Sequence, residues 1–162
     1  FLRGEEASAR YRGLALAHPI QESIRPKKEA LESVLAAYGE CAKRAVTPWA
    51  QAATFRIGEA LVGFGAALEE CQPPPDLDAA DADAYLAVLE EQAWEFYDRG
   101  EEVWSDLLRS AGRDGDGDDD GGWIRRTQQA LWTRVPLRFL HFAEVDYPVL
   151  PAEPPEAGGA GR

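Results

Sequence analysis

The stretch TPWAQAATFRIGEALVGFGAALEEC, residues 47–71, decides the architecture of this chain. Thr47 is a good N-cap and Pro48 a good first helical residue, because the N–H that proline lacks would have no intrahelical partner there. Behind them Trp49, Ala53, Ile57, Ala60, Leu61, Phe64, Leu68 and Cys71 recur at helical spacing, which predicts a helix with one apolar stripe. Gly58, Gly63 and Gly65 interrupt the same stretch. Each costs up to ~1 kcal/mol against alanine in a helix interior, and close approach of a neighbouring helix is the usual offset.

Upstream, Leu31, Val34, Leu35, Tyr38, Cys41, Ala42 and Ala45 predict an amphipathic helix over 26–45, with Pro26 in its first turn. The junction to residue 47 is too short for anything but an antiparallel hairpin. With Cys41 near the turn and Cys71 at the far end, the hairpin separates the two thiols by over ~30 Å, far beyond disulfide reach. Downstream, residues 72–81 contain Pro73, Pro74 and Pro75 and read as an exposed linker. A stripe through Tyr85, Leu86, Leu89, Ala93, Phe96, Tyr97, Gly100, Val103, Trp104, Leu107 and Leu108 then predicts the longest helix, over about 82–111, ended by Gly112.

Residues 114–122 form an acidic, glycine-rich loop, and a short helix over 123–135 follows until Pro136 stops it. Residues 137–147 are apolar enough to pack but have no sustained period. From Pro148 the Pro, Ala, Glu and Gly content describes a flexible tail. A weaker helical segment over 2–17 ends at His18 and Pro19. The expected organisation is an N-terminal helix within 1–25, a helical domain over 26–147 carrying the acidic loop at 113–122, and a tail over 148–162. No stretch alternates with period two for long enough to commit to a strand, so the fold class is all-α, built from antiparallel helix hairpins.

Composition bounds the function. The 162 residues are 45% hydrophobic and 28% charged, ordinary for one globular domain. With 17 Lys and Arg against 29 Asp and Glu the net charge is −12, which repels phosphate backbones and anionic lipids and argues against nucleic-acid binding. No apolar run is long enough to span a bilayer, and the opening residues do not read as a secretory leader, so no membrane insertion is expected. A chain that opens on Phe1 and holds no Met reads as processed, or as part of something longer.

Small and large apolar positions in antiparallel helices invite comparison with tetratricopeptide repeats. In Ala53–Leu68, Ile57, Gly58 and Leu61 stand where such a repeat places a Leu, a Gly and an aromatic. The order Tyr38, Trp49, Arg56-Ile57-Gly58-Glu59, Phe64, Leu68, the prolines 73–75, Tyr85 and Leu89, with Trp123 and Thr127 on the following helix, resembles the C-terminal helical module of large bacterial tetratricopeptide-repeat (TPR) proteins, including those of gliding-motility machineries. The resemblance covers roughly residues 29–135. It implies a TPR-like arrangement and a non-enzymatic scaffold that contacts proteins in the bacterial cell envelope, periplasmic in the first instance, with no catalytic residue and no cofactor.

Four features could carry chemistry. Asp116, Asp118, Asp120 and Gly121 reproduce the opening D-x-D-x-D-G of a calcium loop, but its twelfth position is Thr127, which cannot supply the closing bidentate carboxylate. A weak calcium-responsive domain is therefore an alternative, and a solvated acidic insertion the favoured reading. Glu90, Glu91, Glu95, Glu101 and Glu102 would serve a small helical hydrolase or lyase, yet no Glu-x-x-His pair accompanies them, so a solvated helix face is expected. Cys41 and Cys71 sit on apolar stripes, with His18 and His141 near opposite ends of the pattern, which favours core packing over nucleophilic catalysis. The aromatic set is the fourth feature: Trp94 and Phe96 cannot point the same way on one helix, so part of the set is either sandwiched or waiting for a partner. Phe55, Arg56, Glu59, Trp94 and Tyr97 are the predicted protein-contact residues.

Overall fold

A computed structural model describes residues 1–45, 47–113 and 122–134, the side chains of Thr47 and Arg113 excepted. Among these residues the secondary structure is five helices: α1 (Leu2–Arg12), α2 (Ile20–Arg44), α3 (Thr47–Glu69), α4 (Ala79–Arg113) and α5 (Trp123–Arg134). The predicted cap at Thr47, the acidic loop over 114–121 and everything from Val135 onward lie outside the described side chains or residues.

Helix boundaries follow local chemistry. α2 starts at Ile20, earlier than expected, so Pro26 falls inside the helix instead of in its first turn. Ile20 is buried, and the Ser23 hydroxyl donates to the Ala17 carbonyl at 2.7 Å while accepting from the Ala17 N–H, which fastens the α1–α2 connection to the first turn. That anchoring outweighs the hydrogen bond lost at Pro26. α4 begins at Ala79 because Asp78 caps it, its Oδ1 accepting from the Asp81 N–H at 2.9 Å. Gly112 does not end α4, which continues to Arg113. Ahead of α5, Gly122 adopts φ +70, a left-handed conformation that favours glycine, and its carbonyl accepts from the Arg126 N–H at 3.0 Å.

Consecutive helices run antiparallel and pack in chain order. α1 rests on α2 and reaches α3, where the Tyr11 hydroxyl donates to the Ala60 carbonyl at 3.1 Å. Lys27 of α2 is buried beside it, its Nζ 4.6 Å from the Tyr11 ring centroid and donating to the Leu14 carbonyl at 2.5 Å. Burial lowers the Lys27 pKa, against the opposing pull of Glu70. α3 is central, and its tightest contact is a seam with α4. Gly58 lies against the Trp104 indole, Gly65 against Tyr97 and the Ala93 carbonyl, and Gly100 of α4 against Val62 and the Gly58 carbonyl. Gly58 and Gly65 on one helix and Ala93 and Gly100 on the other share a seven-residue spacing, so the small residues meet in register. Gly63, expected to serve the same purpose, does not: a Cβ there would meet only the Tyr11 hydroxyl, at 3.7 Å.

The main core gathers Val34 and Tyr38 of α2, Leu61, Phe64 and Leu68 of α3, and Leu89, Ala93 and Tyr97 of α4. A second cluster joins Phe55, Trp104, Leu107 and Leu131, so α5 is held in the angle between α3 and α4. Trp49, expected on the α3 stripe, is more than half exposed, and its ring contact is with Phe1 at the start of the chain, at 5.2 Å.

Candidate interaction surface

The five predicted contact residues separate into interior, network and surface. Phe55 is buried, stacked on Trp104 at 5.7 Å and tilted against Trp123 at 5.6 Å. Arg56 lies between helices, its Nη1 2.6 Å from Glu59 and its Nε 3.5 Å from Glu5 of α1. The Tyr38 hydroxyl donates to the same Glu5 at 2.6 Å. Burial alone would lower the Arg56 pKa, but the bonded Glu59 and the nearby Glu5 reverse that and hold it above the ordinary value. Arg56 and Glu59 thus belong to a network that ties α1, α2 and α3 together.

Trp94 and Tyr97 part company. Tyr97 is 4% exposed, with its hydroxyl donating to Glu69 of α3 at 2.6 Å and the Arg134 guanidinium stacked 3.7 Å above its ring. Trp94, one turn earlier, is 61% exposed and meets the edge of Tyr97 at 6.4 Å. Phe96 turns inward against Phe64, at 4.4 Å. The broad apolar arc on α4 is accordingly split: most of it is sandwiched, and Trp94 is left out.

One to two turns before Trp94 on the same helix the surface has a cleft. α5 fills the angle between α3 and α4 as far as Arg134, whose Nε lies 3.2 Å from Glu101 of α4. Beyond that point the angle is open, as a cleft of about 220 Å³ bordered by Glu69, Leu86, Leu89 and Glu90. Leu86 and Val88 are also exposed. Glu69 and Glu90 border the cleft itself, and Glu91, Glu95 and Asp98 are exposed further along α4, so the exposed surface of this helix is strongly acidic.

A second cleft, of about 310 Å³, lies where the α1–α2 and α3–α4 connections meet, lined by His18, Pro19, Ile20, Gln21, Pro74, Pro75, Asp76 and Tyr85. The sequence places His18 near one end of the helical pattern, with no partner assigned to it. Its Nε2 bonds the carbonyl of Gln72, the residue after Cys71, and its ring is 6.3 Å from Tyr85. Stacking of the hairpins brings together residues that are 54 positions apart. Both Cys41 and Cys71 are free thiols, and Cys71 is buried.

The calcium triad Asp116, Asp118 and Asp120, and His141, lie outside the described residues, among which no group of three or more His, Cys, Asp or Glu side chains could hold a metal ion. Thr127, the twelfth position of the calcium register, is described. It is 0% exposed and its hydroxyl donates to the Trp123 carbonyl at 2.8 Å. Thr127→Glu is therefore expected to force a carboxylate into the α5 contact and to destabilise the protein by about 2 kcal/mol, since a buried charge without a partner is costly. Thermal melts with and without calcium check this, with the same loss expected in both.

Among the described residues no helix is long and apolar enough to cross a membrane. Comparison of the chain with protein-family profiles, with curated proteins and with solved structures finds no match in any of the three.

Proposed function

We propose that this protein is a helical protein-interaction module that binds through the outer face of α4, centred on Trp94. The exposure of that indole carries the reading, because a ring of this size left 61% open on a well-packed helix is the kind of residue that anchors interfaces. The exposed carboxylates of α4 and the net charge of −12 support the partner chemistry: a segment with apolar side chains flanked by Lys or Arg. The TPR-like arrangement of the hairpins and residence in a bacterial cell envelope belong to the same proposal, and both rest on the residue likeness across 29–135. No catalytic residue and no cofactor is assigned to the chain.

Trp94→Ala tests it. The substitution is expected to leave the thermal melt nearly unmoved, within about 0.5 kcal/mol, because the ring is mostly in solvent. Retention of a partner from a cell-envelope extract by the immobilised full chain should fall by about thirtyfold, the equivalent of a ~2 kcal/mol hot spot. Undiminished capture by the variant overturns the reading.

A further inference from the structure

We propose that α5 is a displaceable plug, seated in a helix-binding groove between α3 and α4 that receives a basic amphipathic helix of another protein in its place. That groove is distinct from the Trp94 face, and four features of α5 and its bed point to it.

The first is how shallowly α5 sits. Of its twelve residues only Thr127 and Leu131 are buried, while Trp123, Ile124 and Ala130 are half-buried and the others exposed. A helix of that length is marginal by itself in water, so this short set of contacts is what holds it. The second is the bed beneath it. Phe55, Trp104 and Leu107 are all buried, and the α3–α4 seam fixes the two rings without help from α5: Trp104 lies against Gly58, and its N–H donates to the Phe55 carbonyl at 3.0 Å. The floor is thus a preformed apolar slot with two aromatic rings.

The third is the register of contacts. Trp123 packs on Phe55 at 5.6 Å, Thr127 and Leu131 are buried, and Arg134 donates to Glu101 at 3.2 Å while lying 3.7 Å from the Tyr97 ring centroid. At about 100° per residue those four positions fall within an arc of about 80°, one face of one helix. The fourth is charge. Glu101 is only 9% exposed, so without α5 its carboxylate loses the Arg134 guanidinium that compensates its burial. α5 carries Arg125, Arg126 and Arg134 and, alone among the described helices, no carboxylate, in a chain of net −12. A replacement must meet the same demands. The occupant is a helix with an aromatic, a small residue, a leucine and an arginine at the spacing of Trp123, Thr127, Leu131 and Arg134, and with further Arg or Lys on its outer face.

The test uses the full chain and, as probe, a fluorescein-labelled peptide of residues 123–134. Leu131→Asp is expected to release the resident α5, to keep the other four helices folded, and to bind the peptide at least tenfold more tightly than the unaltered chain, whose groove is already filled. Thr127→Glu, which loads the other buried position, should do the same. In the Leu131→Asp background, Glu101→Arg should weaken peptide binding at least tenfold, and a peptide carrying Arg134→Glu should restore it, a rescue that a general loss of stability cannot produce. Collapse of the α1 to α4 helices in both opened variants, read by circular dichroism, overturns the proposal, because a plug is removable and a core helix is not. Equal binding to opened and unaltered chains, or charge reversal without rescue, overturns it as well. Concentration-dependent dimers of the unaltered chain that Leu131→Asp abolishes would make a second copy the occupant and overturn the external one. None of these outcomes touches the Trp94 reading, which Trp94→Ala decides separately.

Discussion

Gly58→Leu is expected to lower stability by about 3 kcal/mol, the upper end of what overpacking usually costs. A Cβ at this position would lie 2.3 Å from the Trp104 Nε1, and the indole has nowhere to retreat. It is buried, stacked on Phe55, and its N–H donates to the Phe55 carbonyl at 3.0 Å. Relief requires α4 to move away from α3, which opens the seam at Gly65 and Gly100 as well. Gly63→Ala is the matched control. With only the Tyr11 hydroxyl within reach it should gain about 0.5 to 1 kcal/mol, the ordinary helical preference of alanine over glycine. Denaturant titrations of both variants decide the matter: like effects of the two would mean that the glycines do not set the helix spacing.

Tyr97→Ala should cost about 3–5 kcal/mol, the range for removing a buried aromatic, in contrast to the near-silent Trp94→Ala. Its ring supports Gly65 on one side and carries the Arg134 guanidinium on the other, so the loss reaches both the α3–α4 seam and the end of α5. Tyr97→Phe separates packing from the hydroxyl. Burial first, and then the Glu69 carboxylate that accepts the hydroxyl proton, push the Tyr97 pKa from 10.0 up to about 12. The fold favours the neutral phenol, so this contribution is complete below pH 10 and is lost as the pH rises from about 10 to about 12. Burial raises Tyr11 and Tyr38 in the same direction. Denaturation midpoints measured across that interval should fall in the unaltered chain and fall less steeply in Tyr97→Phe.

The periodicity of 47–71 and of the long helix made α3 and α4 legible, since both bury a stripe and both are bounded by strong breakers. The start of α2 was not, because it depends on Ile20 finding the core and Ser23 finding the Ala17 carbonyl, neither of which is a local propensity. Which glycines form the seam was equally hidden. Gly63 is separated from Gly58 and Gly65 only by the register that α4 imposes, and that register becomes visible once Gly65 and Tyr97 are seen in contact. The contact residues show the same limit. Phe55, Trp94 and Tyr97 are alike as sequence, but α5 covers Phe55, Glu69 and Arg134 enclose Tyr97, and Trp94 is left 61% exposed among the described residues. His18 and Tyr85 could not be paired from the sequence, since the cleft between them exists only after two hairpin connections have stacked.

The glycine seam also bears on the order in which the chain folds. Three interior glycines take about 3 kcal/mol from the intrinsic helicity of α3, so the segment at the centre of the molecule is a poor helix in isolation. α4 has only Gly100 at the seam and is the better helix in isolation, whereas Pro26 inside α2 costs that helix a comparable ~3 kcal/mol. α3 becomes rigid only as its neighbours dock, when the absence of side chains at Gly58 and Gly65 turns from a loss of propensity into a gain in contact. The helix that every other helix touches is thus the one whose helicity depends most on those contacts.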